Sequence, residues 1–169
     1  MVTQMRADLL LVERGLFESR SKAQAAIAAG LVAADGKTVN KPSDDVPADA
    51  TLHAGAAHPW VSRGGVKLAA ALDHFGFDPA GRVCLDVGAS TGGFTDVLLA
   101  RGAHHIYAVD VGRDQLHPRL RARRDVTSME STDVRHLAPT AFPELPAIAV
   151  IDVSFISLRL VVPAVDRLL

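Results

Sequence analysis

The residues best equipped for chemistry stand where apolar runs end. Asp86-Val87-Gly88-Ala89-Ser90-Thr91-Gly92-Gly93-Phe94 begins at the close of the apolar run Val83-Cys84-Leu85 and leads into a helical stretch, Thr95 to Arg101. Glycines at such a junction let the backbone turn sharply and approach a ligand closely. A dinucleotide site would use G-x-G-x-x-G, with bare backbone N–H groups for a pyrophosphate. Here the spacing is G-x-x-x-G-G, and Asp86 lies two positions before Gly88. That carboxylate suits a ligand carrying an ammonium group and no phosphate, and S-adenosylmethionine is such a ligand. A second run, Ile106-Tyr107-Ala108-Val109, ends in Asp110, followed by Val111. A carboxylate there can accept hydrogen bonds from both hydroxyls of a ribose. A third run, Val126 to Glu130, is followed by Asp133, placed to read an adenine amino group, and a fourth, Ala147 to Val153, carries Asp152 near its end.

These positions require an alternation of strands and helices. From Gly81 onward the pattern reads strand, helix, strand, irregular or helical segment (Arg113 to Arg123), strand, strand, then a helix opening at Leu158. Such alternation predicts a doubly wound, Rossmann-like parallel α/β sheet, with ligands at the carboxyl ends of its strands. A preceding helix, Val66 to Phe75, is expected to bury Leu68, Ala71, Leu72 and Phe75. The first part of the chain is different. Leu9, Leu10, Val12 and Leu16 recur at helical spacing, with Gly15 closing the helix. Ser19 is the expected N-cap of a second helix ended by Gly30. Asp35-Gly36 is a two-residue hairpin signal between Leu31–Ala34 and Lys37–Val39, and Thr51-Leu52-His53 is a further short strand. The expected division is a small α+β domain over 1–54, a Gly- and Pro-marked linker over 55–65, and the α/β domain over 66–169.

Composition narrows the classes. Apolar residues make up 49% of 169, the formal net charge is -1, and there is one cysteine, Cys84. Disorder, a polybasic tail and a disulfide framework are excluded. No uncharged apolar run reaches membrane-spanning length, and charges near the N-terminus do not suit a signal peptide, so a cytoplasmic protein is expected. The histidines are not spaced for a metal site.

Four motifs then occur in order: Ser62-Arg63-Gly64-Gly65-Val66-Lys67-Leu68, Asp86 to Asp96, Ala108-Val109-Asp110-Val111-Gly112, and Val150-Ile151-Asp152-Val153-Ser154-Phe155-Ile156-Ser157-Leu158. In these the chain resembles the TlyA family of S-adenosylmethionine-dependent ribosomal RNA methyltransferases, a family also labelled haemolysin. Arg6 to Gly15, Ser19-Arg20-Ser21-Lys22-Ala23, Gly30-Leu31-Val32 and Gly36-Lys37 resemble an S4 RNA-binding domain. The resemblance implies an FtsJ-like methyltransferase domain, transfer to a cytidine ribose 2′-hydroxyl, and ribosomal RNA or ribosomal subunits as partners. It implies a Lys-Asp-Lys-Glu tetrad in which Lys67 and Asp152 match the first two members. The other two lie further along in the family, so the sequence is expected to stop inside the domain, leaving Ala147–Ile151 as an exposed apolar edge.

In that reading a ribose hydroxyl attacks a sulfonium methyl group, Lys67 assists the hydroxyl, and Asp152 orients Lys67. RNA would be held by Arg6, Ser19, Arg20 and Lys22 near the start of the second helix, and by Arg63. Residues 1–54 hold six Lys or Arg against seven Asp or Glu, so any basic face is local. The cluster Arg113, Arg119, Arg121, Arg123 and Arg124 is either a phosphate-binding face or a solvated one. Two further readings are a non-catalytic RNA-binding protein with an incomplete methyltransferase half, and a membrane-active haemolysin. No basic amphipathic helix with a large apolar face supports the latter. The glycine spacing disfavours a dehydrogenase.

Overall fold

The computed structural model describes residues 3–169, and the chain separates into one compact unit ending at Pro59 and a second over Trp60–Leu169.

In the first unit β1 (Gln4–Arg6) runs directly into α1 (Ala7–Glu13), and α2 (Arg20–Ala28) packs against it. Ala7, Leu10, Leu11, Ala23, Ala26 and Ile27 form the buried seam, whereas Leu9 and Leu16 face solvent. The buried stripe is thus one residue out of phase with the periodicity expected from Leu9 and Leu16. β2 (Val32–Ala34) pairs with β3 (Lys37–Thr38) through the expected turn, with Asp35 and Gly36 both at positive φ, 48° and 77°. β5 (Leu52–Ala54) pairs on the other side of β2, and β4 (Asp45–Pro47) pairs with β1. β1 and β4 have three residues each, too short to show an alternating pattern in sequence.

A buried charge organises this unit. The Asp8 carboxylate is fully buried and accepts from Arg6 Nε (3.1 Å), Arg20 Nη2 (2.8 Å) and Gln24 Nε2 (2.8 Å). The Arg6 hydrogen bond, with Arg20 and Gln24 behind it, outweighs burial and holds the carboxyl far below the usual range. A carboxylate depressed in the folded state stabilises above its ordinary pKa, and that contribution is lost as pH falls below it.

The second unit opens with α3 (Gly64–Phe75), which begins two residues before the expected start. Leu68 and Leu72 are buried, but Phe75 is exposed, because Gly76 at φ 69° ends the helix just beyond the sheet. The sheet follows: β6 (Val83–Val87), β7 (His105–Val109), β8 (Val126–Met129) and β9 (Ile148–Ile151), in spatial order β8-β7-β6-β9 and all parallel. α4 (Gly93–Ala100) connects β6 to β7, α5 (Pro118–Arg121) connects β7 to β8, two short 3-10 turns (Val134–His136 and Pro139–Ala141) lead to β9, and α6 (Leu158–Asp166) follows β9. Only four residues of the arginine-rich stretch are helical. β6 is buried at every residue, as expected of a central parallel strand covered on both faces. Alternation sends Cys84 and Ile106 toward α3 and α4, and Val83, Leu85, Val87, Tyr107 and Val109 toward α6. Asp86 shares the parity of Cys84, so its side chain is committed to the α4 face. β9 and β8 are the two edge strands, and each residue of β9 is half-buried.

Asp8→Asn removes the charge that gathers Arg6, Arg20 and Gln24. It should lower the opening free energy of α1 and α2 amides, read by hydrogen exchange at pH 7, by roughly 2 kcal/mol. The difference from wild type should shrink as pH is lowered below about 4.

Candidate functional site

The four parallel strands end on one side, and their terminal residues make the site. Asp86, one residue from the end of β6, is fully buried. Thr95 of α4, also buried, donates its hydroxyl to Asp86 Oδ2 at 2.7 Å. Asp86 Oδ1 is buried without a hydrogen-bond partner. Burial pushes the carboxyl up to about 7; the Thr95 hydrogen bonds oppose this, while the nearby Asp110 and Asp152 charges add to it. An orphaned carboxylate oxygen next to a glycine-rich turn is a place for a cationic donor.

Asp110 follows β7. Its Oδ2 accepts the backbone N–H of Ser90 and its Oδ1 that of Gly112, each at 2.7 Å. The carboxylate is thereby tied to the glycine-rich turn itself. Ser90 is held at φ 48°, a left-handed conformation unusual for a residue with a side chain. The turn's glycines serve close approach by the protein's own walls. A Cβ on Gly88 would stand 2.5 Å from the Asp152 carbonyl oxygen, and one on Gly92 would strike Leu116 and Leu120. On Gly93 it would strike Ser62 Oγ. Ala89 is buried beneath the turn, Thr91 is exposed and its carbonyl accepts the His117 N–H (3.1 Å), and Phe94 is half-buried, packed with the α3–α4 core.

Lys67, in the first turns of α3, and Asp152, one residue past β9, meet across the strand ends. Lys67 Nζ lies 3.0 Å from Asp152 Oδ2 and 3.3 Å from Oδ1. The pair is open to solvent, with the lysine side chain 67% and the aspartate 44% exposed. Asp152 belongs to the same edge as Asp86 and Asp110: its N–H donates to the Val87 carbonyl at 3.0 Å. Chain positions 67, 86, 110 and 152 are thus brought to one end of one sheet.

Other expected residues are placed differently. Asp133 caps a short 3-10 turn and is gripped by Arg135 through Nε and Nη2 (2.6 Å), which pulls its carboxyl down to about 2. Val111 is 74% exposed beside Asp110. Arg63 is exposed at the start of α3. In the first unit, Arg6 and Arg20 share Asp8, Lys22 pairs with Glu18 (2.8 Å), and the Ser19 hydroxyl accepts the Lys22 N–H at 3.4 Å. Arg113, Arg119, Arg121 and Arg123 each bind a side chain of their own unit.

Three residues escaped the reading of the sequence. Asp96 accepts the Val61 N–H (2.9 Å) and Arg119 Nη2 (2.8 Å), fixing the approach to α3 against the start of α4. Glu130 accepts three consecutive backbone N–H groups, those of Asp114, Gln115 and Leu116. Phe155, three residues after Asp152, is fully exposed and sits at φ 64°. Asp96 closes the quoted motif, but its partners Val61 and Arg119 are far from it in the chain, and Glu130 lies outside the motifs. An exposed aromatic in a left-handed backbone is visible only in three dimensions.

An open parallel sheet of order 3-2-1-4, with a glycine-rich turn after its first strand and carboxylates at three strand ends, defines a Rossmann-like α/β unit. Comparison with known proteins gives the class its family. Residues 60–169 match the FtsJ-like methyltransferase family, and residues 5–52 match the S4 domain. A protein of Mycobacterium tuberculosis named 16S/23S rRNA (cytidine-2'-O)-methyltransferase TlyA is 46% identical over 166 residues, 97% of this chain and 62% of that protein. Hemolysin A of Brachyspira hyodysenteriae is 40% identical over 164 residues, 96% of this chain and 68% of that one. A solved structure from Streptococcus thermophilus, described as a hemolysin, superposes with a TM-score of 0.69 at 43% identity, over 100% of this chain and 63% of that chain. The chain belongs to the TlyA family, which joins an S4 domain to an FtsJ-like methyltransferase domain. It spans about three fifths of the length of such relatives, 62% of the mycobacterial protein and 59% of one from Bacillus subtilis. Among the described residues, no helix is long and apolar enough to cross a membrane.

The Asp86 environment gives a signed pH effect. A carboxyl raised in the folded state stabilises below its ordinary pKa, and that contribution is lost as pH rises toward about 7. Asp86→Asn cannot ionise. Its stability relative to wild type should therefore improve between pH 5 and pH 8, by on the order of 2 kcal/mol. Urea unfolding followed through Trp60, the single tryptophan, reads this directly.

Proposed function

We propose that this chain is an S-adenosylmethionine-dependent ribosomal RNA methyltransferase acting on a cytidine ribose 2′-hydroxyl, in the cytoplasm, with ribosomal RNA or ribosomal subunits as its partner. The observation that carries the reading is the Lys67–Asp152 pair, 3.0 Å apart, at the strand ends beside Asp86, Asp110 and the glycine-rich turn. Relatives named for this reaction support the substrate.

The residues fit the methyl donor. Asp86 Oδ1 offers an unpaired acceptor for an ammonium group. Asp110, already held by the Ser90 and Gly112 amides, keeps acceptor capacity for ribose hydroxyls. Gly88, Ala89, Ser90, Thr91, Gly92, Gly93 and Phe94 form the turn around which the donor would sit, with Val111 beside it. Asp133 would reach the adenine only by sharing its carboxylate with Arg135. When bound, S-adenosylmethionine supplies a methyl group made electrophilic by its sulfonium sulfur.

Lys67 and Asp152 act on the hydroxyl. Asp152 holds the Lys67 ammonium in one place, so one N–H can be aimed at the ribose oxygen without further ordering. The lysine stabilises developing negative charge there, and Asp152 is the acceptor toward which the proton can pass. Water now reaches the pair, and an RNA strand laid across it would exclude that water. Phe155 offers an exposed ring on which a base can stack. Arg63 is placed for a phosphate near this end of the sheet. In the S4 unit, over 1–54, Arg6 and Arg20 present guanidinium edges that Asp8 leaves unused, with Ser19 and Lys22 close by in the same turn. Of the expected linker 55–65, residues from Trp60 onward belong to the transferase unit, and Gly64 and Gly65 open α3.

Transfer of labelled methyl groups from S-adenosylmethionine to ribosomal subunits tests the reading. Lys67→Ala should lower transfer by about a hundredfold or more while leaving the donor's Kd within about threefold. Undiminished transfer by that variant removes Lys67 from the mechanism. Absence of transfer by the wild-type chain with donor bound leaves an RNA-binding protein in its place.

A further inference from the structure

Glu130 closes β8 and has no part in the chemistry described above. It nevertheless accepts from four different residues. Its Oε2 takes the Asp114 N–H at 2.9 Å, and its Oε1 takes those of Gln115 (3.0 Å) and Leu116 (3.2 Å). Arg121 Nη2 stands 3.0 Å from the same Oε1. The carboxylate side chain is 20% exposed. Three consecutive amides converging on one carboxylate form an anion nest, here filled by the protein itself.

The segment so held is the wall of the ligand site. It begins at Asp110 and Gly112, and it ends at Leu116 and Leu120, which lie against Gly92 where a side chain would collide with them. The same segment is stitched to the loop after β8 by Thr132 N–H to Asp110 O and Ser131 N–H to Gly112 O, both 2.9 Å, and by Arg113 Nε to Ser131 Oγ at 2.9 Å. Both loops carry a left-handed residue with a side chain, Asp114 at φ 50° and Ser131 at φ 52°. Backbone of this kind persists only where surrounding contacts over-determine it. Glu130 supplies most of those contacts on the Asp114 side.

We propose that Glu130 is a positioning residue for the methyl donor: its carboxylate fixes residues 110–116 so that the Asp110 carboxylate and the Leu116 side chain keep their places around the glycine-rich turn. It does not touch the reacting atoms, so its effect falls on donor binding. The proposal rests on the cofactor reading above, and the test separates the two.

The 169-residue chain and its Glu130→Gln variant are titrated with S-adenosylhomocysteine, and amide exchange is measured on both without ligand. Glutamine keeps the size and one acceptor oxygen but loses the charge. The variant should bind about tenfold or more weakly, since hydrogen bonds to an ionised acceptor are being exchanged for neutral ones. Amides of Asp114, Gln115 and Leu116 should exchange at least about tenfold faster, while those of β6 and β7 stay protected. At saturating donor the variant's transfer rate should equal wild type, giving a KM effect without a kcat effect. Equal affinity and equal exchange in the two proteins overturn the role of Glu130 while leaving the cofactor reading intact. A wild-type chain that does not bind the probe overturns the cofactor reading itself. Asp125→Asn, which breaks the Arg123 ion pair away from residues 110–116, should match wild type in both measurements.

Discussion

Parallel strands that finish at one edge bring their last residues together, and here those residues are carboxylates. Asp86, Asp110 and Asp152 belong to adjacent strand ends, and their mutual repulsion must be met on the spot. The protein meets it in three ways. Asp86 is buried deeply enough to favour its neutral form and is bonded to Thr95. Asp110 is ringed by two backbone amides. Asp152 is paired with the Lys67 ammonium. Each solution recruits a different segment: α4, the glycine-rich turn with the loop after β7, and the start of α3. The site is assembled by the charges it has to accommodate.

The glycines fit the same constraint. Gly88 lets the Asp152 backbone come against the end of β6, Gly92 lets Leu116 and Leu120 close over the turn, and Gly93 admits Ser62 ahead of Lys67. A side chain at any of the three would push away a segment that carries or adjoins a site residue: Asp152 for Gly88, the loop after Asp110 for Gly92, and the start of α3 with Lys67 for Gly93. The pattern G-x-x-x-G-G is therefore a record of three close approaches between walls, and the room for a ligand is what remains between them.

Much of this was legible in the sequence. The position of the turn and the standing of Asp86, Asp110 and Asp152 at strand ends follow from apolar runs that end in acids, because a central parallel strand must be apolar along its length and can be charged only at its end. Lys67 was legible only through the S-R-G-G-x-K-L resemblance, since a lysine in a helix ordinarily faces water. What stayed hidden were contacts across long separations made by single residues. Asp96 reaches the amide of Val61, Glu130 reaches those of Asp114 to Leu116, and Asp8 draws together Arg6 and Arg20. The short strands β1 and β4 were hidden too, since three residues do not establish a period. The arginine-rich stretch after Asp110 left two readings open. In the structure Arg119 pairs with Asp96, Arg121 with Glu130 and Arg123 with Asp125, and each of these arginines stays partly exposed.

The central claim is that three strand-end carboxylates and the glycine-rich turn together hold a methyl donor. Calorimetric titration of the full chain with S-adenosylmethionine, beside the same titration of Asp110→Ala, tests it most directly. The account predicts saturable binding at about one site per chain and marked weakening in the variant. A folded chain that takes up no S-adenosylmethionine, or one that binds it equally well without the Asp110 carboxylate, would contradict it.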